Sequence, residues 1–206
     1  MSDVPLLLIA ATVWIYWARV GAMVVRARRR SGDLAGLVPQ LGWERLLWIF
    51  WVPMVAAWLT LPILGITRTG GPFAVPDWAR QLPVYSALRW LASAGGIYAL
   101  AMTLRCWARM GRDWRMDVRP DQRTTLIVDG LFQRVRHPIY AFSMLLASCT
   151  AVVVATVPML IVAVLNIVLV NLKARNEERF LLRSHGTEYE RYIEHTGRFF
   201  PRHRAS

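Results

Sequence analysis

The sequence is poor in the residues that mark most soluble function classes. It has two cysteines, Cys106 and Cys149, in 206 residues. They match no metal-ligand spacing and are too few for a disulfide framework, so both read as small apolar packers. His185, His195 and His203 show no ligand spacing either, and no metal is expected. No glycine-rich phosphate loop and no serine–histidine–acid arrangement stands out. Internal repeats and low-complexity segments are missing. Lysine is nearly absent, with Lys173 set against abundant arginine. The opening Met1-Ser2-Asp3-Val4 lacks the basic region of a secretory signal, so the first apolar segment is expected to stay as an anchor.

What the chain has is apolar length. Hydrophobic residues make up 55% of it and tryptophan occurs ten times, and its apolar segments are hydrophobic nearly all round, as lipid-exposed helices require. Five spans are expected: about Val4 to Val25, Leu46 to Ile66, Val84 to Leu104, Ile139 to Val157 and Pro158 to Asn171. The first three are long enough for roughly 30 Å of hydrocarbon at about 1.5 Å per residue; the last two are shorter and need tilt, thinning or partial submersion.

A net charge of +12 raises the question of nucleic acid, but no separate basic domain or recognition motif accompanies it. The arginines instead alternate with the apolar segments. They crowd the loop after the first span, the loop before the fourth and the tail, while the opposite side has only Arg68 and Arg80. The positive-inside rule then puts the N-terminus outside and the long loop and C-terminus in the cytoplasm, which requires an odd number of crossings. The preference for arginine over lysine hints at a GC-rich bacterial genome, hence a bacterial inner membrane. Arg19 and Arg89 lie inside spans near their ends and read as snorkelling to the headgroups, with a buried functional charge as the alternative. Trp14, Trp17, Trp43, Trp48, Trp51 and Trp90 read as an interfacial aromatic belt. The expected fold class is an all-α integral membrane protein of about five transmembrane helices, with a C-terminal helical hairpin and a cytoplasmic helical tail. Its 206 residues are expected to form one membrane domain: three N-terminal spans (1–104), a cytoplasmic loop (105–138), the hairpin (139–173) and a cytoplasmic tail (174–206).

The hairpin concentrates the polar chemistry. Arg134-Val135-Arg136-His137-Pro138 leads into it and Glu177-Glu178 follows it. A hairpin that returns to the side it left brings these clusters to one water–lipid boundary. Gly130 permits a tight turn, and Pro138 suits the first helical position, where no amide donor is needed. The amides of Ile139 and Tyr140 then point out of a helix N-terminus beside Arg136, a seat for a carboxylate or phosphate. The bland alternative is a juxtamembrane cap with arginines facing anionic lipid. No helix breaker follows the fifth span until Gly186, so the helix is expected to emerge and carry the glutamates just above the lipid. Adjacent glutamates point about 100° apart, so one can face a site while the other pairs with Arg175 or Arg179.

With these motifs in hand, the chain resembles a known family. Gly130-Leu-Phe-Gln-Arg-Val-Arg136-His137-Pro138-Ile-Tyr140 looks like the glycine–RHPxY signature of the isoprenylcysteine carboxyl methyltransferase family, related to one in phospholipid methyltransferases. Glu177-Glu178-Arg-Phe-Leu181, then His185-Gly186-Thr-Glu188-Tyr189-Glu-Arg-Tyr192 and a final Pro201, is similar to its EExL and FGxEYxxY segments. Gly111-Arg112-Asp-Trp114 resembles a further family segment. His185 departs from the pattern, which has an aromatic there. The resemblance covers about Met110 to Pro201; the first three spans carry no matching signature.

The resemblance implies S-adenosylmethionine as methyl donor, bound between hairpin foot and tail by Gly130, Arg136, His137, Pro138, Ile139, Tyr140, Glu177, Glu178 and Tyr189. Arg136, His137 and Glu178 are the candidate catalytic residues: Arg136, or alternatively Arg112 or Arg134, to orient an anionic acceptor, and Glu178 or His137 as base for an amine. The expected activity is methyl transfer at the membrane interface to a hydrophobic or lipid-linked carboxylate or amine, with no nucleic-acid partner. Oligomeric state and acceptor identity stay open. The alternatives are an NADPH-dependent membrane reductase of the steroid-reductase type and a non-enzymatic membrane scaffold binding anionic lipid.

Overall fold

The computed structural model describes residues 3–31, 42–111 and 126–202, leaving aside the side chains at 28, 30, 31 and 42–47. Trp43, the Arg112–Trp114 segment and the loop arginines Arg115, Arg119 and Arg123 therefore lie outside the described residues. Every regular element among the described residues is helical: α1 (Val4–Ser31), α2 (Gly42–Thr67), the short α3 (Asp77–Gln81), α4 (Pro83–Met110), α5 (Pro138–Val154), α6 (Val157–His185) and α7 (Thr187–His195). Four of these, α1, α2, α4 and α6, are long and apolar enough to cross a membrane, and α5 is a shorter apolar helix. The chain is an all-α integral membrane protein.

The five apolar helices alternate in direction. One end of the bundle gathers Asp3 before α1, Gly65 in the last turn of α2, Arg89 in α4 and Val153 at the end of α5. The other end gathers the start of α5 and the close of α6. These are called below the clasp end and the hairpin foot. The hairpin turn falls at Ala155 and Thr156, just before the expected boundary at Val157–Pro158, with α5 ending at Val154 and α6 starting at Val157. Ala155 ends α5 in the left-handed conformation (φ 53°), and Pro158 sits in the first turn of α6, where its missing amide costs nothing. The apolar stretch of α6 closes at Leu172; its remaining turns, from Lys173 to His185, carry the charges. The helix runs through Glu177 and Glu178 to a C-cap at Gly186 (φ 53°), as the sequence predicts.

Helix α5 sits in the middle, packed along α4 most extensively and also against α6, α1 and α2. Small residues make that approach possible. A Cβ on Gly96 would come within 2.5 Å of Ile9 Cδ1 and 3.3 Å of Leu146 Cδ1, and one on Gly95 within 3.1 Å of Cys149 Sγ. Without lipid-excluding forces between helices, such close contact and interhelical hydrogen bonds hold the bundle. Both cysteines are buried, as expected of packers.

Two expectations change here. Trp17 and Trp51 are half-buried between helices: they join Tyr16 and the fully buried Trp58 in an aromatic cluster between α1 and α2, with centroids 5.2–6.3 Å apart. Trp48 meets Trp51 at a tilt of 40°, and Trp107 of α4 meets Tyr16 at 5.2 Å. Trp14 and Trp90 remain exposed on the bundle surface, as a belt requires. Arg89 does not snorkel. It is 3% exposed, donates from Nε to Val153 O at 2.9 Å, and grips both carboxylate oxygens of Asp3 at 2.7 and 2.8 Å. An arginine with a carboxylate and a helix-end carbonyl in reach satisfies its charge inside the protein and needs no headgroup.

Candidate functional site

The hairpin foot is built on a short backbone pairing that the sequence does not announce. Gly130 (φ 60°) opens a single 3-10 turn, Gly130–Gln133, that delivers the chain to Val135. Val135 then forms a parallel bridge with Gly197 of the tail. Arg136 N donates to Gly197 O (2.9 Å), His137 N to Arg198 O (3.0 Å) and Gly197 N to Arg134 O (3.3 Å). Tail and α5 entry are thereby fixed in register before any side chain acts. Tyr192 adds a hydroxyl bond to Phe132 O.

Side chains lock the frame. Glu178, one face of α6 around from Glu177, is buried and accepts from Arg136 Nε at 2.9 Å and Arg198 Nε at 2.9 Å, one guanidinium on each oxygen. Arg136 continues to the carbonyls of Ile193 and Thr196. Burial pushes the Glu178 carboxyl up, but His137, Arg198 and Arg136 around it outweigh that and hold it well below the usual carboxylate range. Tyr189 is 1% exposed, within electrostatic reach of Glu178 and Arg136, and burial pushes its hydroxyl up. It backs the ion pair and leaves almost no surface for a ligand.

This frame bears on three readings of the sequence. Of the two glutamates Glu178 is the one in an arginine ion pair, and its partners are Arg136 and Arg198 rather than Arg175 or Arg179. A carboxylate held anionic by two guanidiniums is a poor proton acceptor, so Glu178 does not fit the role of base. Arg136, spent on Glu178 and two carbonyls, is not a free cation for an acceptor or cofactor carboxylate.

The other glutamate faces differently. Glu177 accepts a 2.5 Å hydrogen bond from Tyr140 Oη, and its second oxygen lies 3.6 Å from His137 Nδ1. His137 and Tyr140 stack nearly parallel (7°) with centroids 5.5 Å apart. Lys173 Nζ stands 5.9 Å over the Tyr140 ring, and Phe199 of the tail meets His137 at 6.2 Å. His137 Nε2 is 3.4 Å from Glu178 Oε1, yet it is fully buried and makes no hydrogen bond. A buried polar atom without a partner is uncommon and calls for a reason. Pro138 is the first residue of α5, as expected, so Ile139 N in its first turn has no intrahelical acceptor.

The structure thus brings Arg136, His137, Tyr140, Glu177, Glu178 and Tyr189 into one cluster, with Gly130, Pro138 and Ile139 shaping its entry. The sequence reading missed Arg198, Thr196, Phe199 and Lys173 as members. Arg198 stood only as one of many tail arginines, since nothing local to it signals a partner twenty residues upstream. No metal-ligand group occurs among the described residues.

This cluster offers a stacked aromatic pair, one carboxylate outside the ion-pair frame, an unpartnered imidazole nitrogen and a helix-start amide. Such a set suits a polar ligand carrying both a cation and hydrogen-bonding groups. Residues 93–183 match the model of the isoprenylcysteine carboxyl methyltransferase (ICMT) family. The match runs from mid-α4 to the last turn of α6, so α7 and the tail that completes the cluster lie beyond it. No curated protein matches the chain significantly. Over residues 93–183 the chain is thus similar to the isoprenylcysteine carboxyl methyltransferase family, a family of membrane methyltransferases.

Proposed function

We propose that the protein is an S-adenosylmethionine-dependent methyltransferase whose site is the hairpin foot and whose acceptor is a hydrophobic or lipid-linked molecule. One observation carries the reading: inside the family-matched segment, the buried His137 ring lies between the two glutamates, with Nδ1 3.6 Å from Glu177 and Nε2, which makes no hydrogen bond, 3.4 Å from Glu178. The cofactor supplies an electrophilic methyl group on a sulfonium. Glu177, His137, Tyr140 and the Ile139 amide are the groups of this chain that would hold it. The carboxylate takes hydroxyl or amino donors, the ring nitrogen supplies a hydrogen bond, and the stacked rings offer a face to positive charge. Glu178, Arg136 and Arg198 hold these groups in place, with Tyr189 behind them. Gly130 and Pro138 set the turn and the helix start.

For the transfer itself the chain positions reactants and excludes water. Attack by a carboxylate on a sulfonium methyl consumes opposite charges, so removal of bulk water favours it when alignment is kept. That route needs no base. An amine acceptor has to lose a proton, and with Glu178 committed to two arginines the candidate acceptor of that proton is His137. The foot lies where the apolar part of α6 gives way to charge, so a lipid-borne acceptor reaches it from the bilayer while a soluble cofactor arrives from water. We place the foot and tail on the cytoplasmic side of a bacterial inner membrane and the N-terminus outside, as arginine distribution favours, within a single membrane unit.

The test is a methylation assay with methyl-labelled S-adenosylmethionine on a membrane lipid extract, followed by mass analysis. Transfer of label to a lipid-phase product by the wild type, lost in His137→Ala, is expected. Absence of any labelled product with well-folded protein and extracts of several bacterial membranes counts against the reading.

A further inference from the structure

The clasp end poses a separate question: why a membrane bundle buries an arginine against a half-buried aspartate at the end away from its site. Asp3 precedes α1 and accepts from Leu6 N at 3.3 Å, an N-cap for that helix. The same carboxylate takes both oxygens' worth of Arg89 and a further bond from Arg80 Nε at 3.2 Å. Arg80 reaches on to Gly65 O of α2 at 3.4 Å. Arg89 Nε caps Val153 O, and Tyr85 Oη, one turn earlier on α4, caps Val152 O at 3.0 Å. These are carbonyls of the last turn of α5, which have no intrahelical donor. The network joins α1, α2, α4 and α5, with α4 donating twice into the end of α5.

Helix α5 is the one that needs fixing. Its seventeen residues span about 25 Å, short of the roughly 30 Å of hydrocarbon, whereas α4 has 28 residues and crosses with length to spare. A helix shorter than the bilayer is drawn along its axis as thickness changes. Because α5 carries His137 and Tyr140 at its far end, any slip of α5 against α4 moves the site.

We infer that Asp3, Arg89 and Tyr85 are positioning residues: they pin the short helix α5 to the full-length helix α4 at the end opposite the site, and so fix the level of His137 and Tyr140 independently of bilayer thickness. As a statement about catalysis this rests on the proposed methyltransferase function; as a statement about α5 it does not. The two are separated by two readouts in phosphatidylcholine bilayers of short, medium and long chain length. The first is the pulsed-EPR distance between nitroxides on Leu91→Cys of α4 and Leu145→Cys of α5, both exposed on the bundle surface, with the native cysteines buried. The second is the dissociation constant for S-adenosylmethionine.

In the wild type both readouts stay level across the series. In Asp3→Asn, Tyr85→Phe and their combination, the distance shifts with chain length and cofactor affinity falls by about tenfold at the longest chains, the effect of a mismatch of a few ångströms. Asp3→Asn keeps the helix cap and Tyr85→Phe keeps the ring, so folding is preserved in at least one variant. A distance that stays level in the folded variants overturns the pinning. A wild type that binds no S-adenosylmethionine counts against the proposed function alone, because the distance still reports on α5.

Discussion

Both ends of the bundle use the same device, a carboxylate shared by two arginines, and put it to different ends. At the clasp, Asp3 holds Arg89 and Arg80; at the foot, Glu178 holds Arg136 and Arg198. At the clasp, bonds to helix-end carbonyls and a helix-start amide let the ionic groups tie four helices together. At the foot Arg136 likewise reaches the carbonyls of Ile193 and Thr196, so the ion pair there is spent on docking the tail. Beside it stand Glu177, the His137–Tyr140 stack and an imidazole nitrogen without a hydrogen bond. The difference is instructive: ion pairing by itself says nothing of function, and the groups left over beside it do.

The largest effect is expected where the comparison is most direct. Removing one partner of a buried pair leaves the other charge uncompensated, typically about 3–5 kcal/mol. Glu178→Ala strands Arg136 and should lower stability by about that amount while releasing the tail. Asp3→Ala should also destabilise the protein, but it leaves the tail protected. Hydrogen exchange over residues 187–202 tells the two apart. Equal tail protection in both variants would break the distinction between the ends.

A smaller and more local effect belongs to Gly197. A Cβ there would lie 1.7 Å from the Phe200 carbonyl oxygen, a backbone atom that moves only with the turn itself. Gly197→Ala should cost about 1–3 kcal/mol, shift Arg198 off Glu178 and weaken ligand binding with the transmembrane helices intact. A crystallographic or cryo-EM structure of the variant checks the displacement. An undisturbed tail would show that the register at the Val135–Gly197 bridge does not depend on that glycine.

The smallest effect is set by pH. The Glu178 carboxyl is held below its ordinary value in the folded protein, so the stabilisation it gives is complete above that ordinary value, about 4.3 for a glutamate. It is lost only as pH falls below that range towards the depressed folded value. Tail protection should thus be level from neutral down to the ordinary carboxylate range and decline beyond it. A midpoint near neutrality would mean that another group controls docking.

Much of the foot was legible from sequence. Helical rise alone carries Glu177 and Glu178 past the apolar stretch of α6, and a two-helix hairpin returns them to His137. The pairings were not legible. Arg198 reaches Glu178 because Val135 bridges Gly197, and a two-residue bridge has no periodicity to read. Arg89 looked like any arginine near a helix end, since its partner Asp3 lies 86 positions away. Trp17 and Trp51 looked like belt residues because depth in the membrane follows from sequence, while the side of the helix facing a neighbour does not. Arg136 and Glu178 are legible from sequence as neighbours at the foot, but their role as frame emerges only when both partners of Glu178 are seen.

The central claim is that the foot is prepared for S-adenosylmethionine by groups outside the ion-pair frame. Isothermal calorimetry on the purified protein in nanodiscs tests it most directly, comparing wild type with His137→Ala and Glu177→Gln. Saturable binding by the wild type is expected, weakened at least about tenfold, or roughly 1.4 kcal/mol, in each variant with the tail still docked. Unchanged affinity in both folded variants, or none in the wild type, would contradict it.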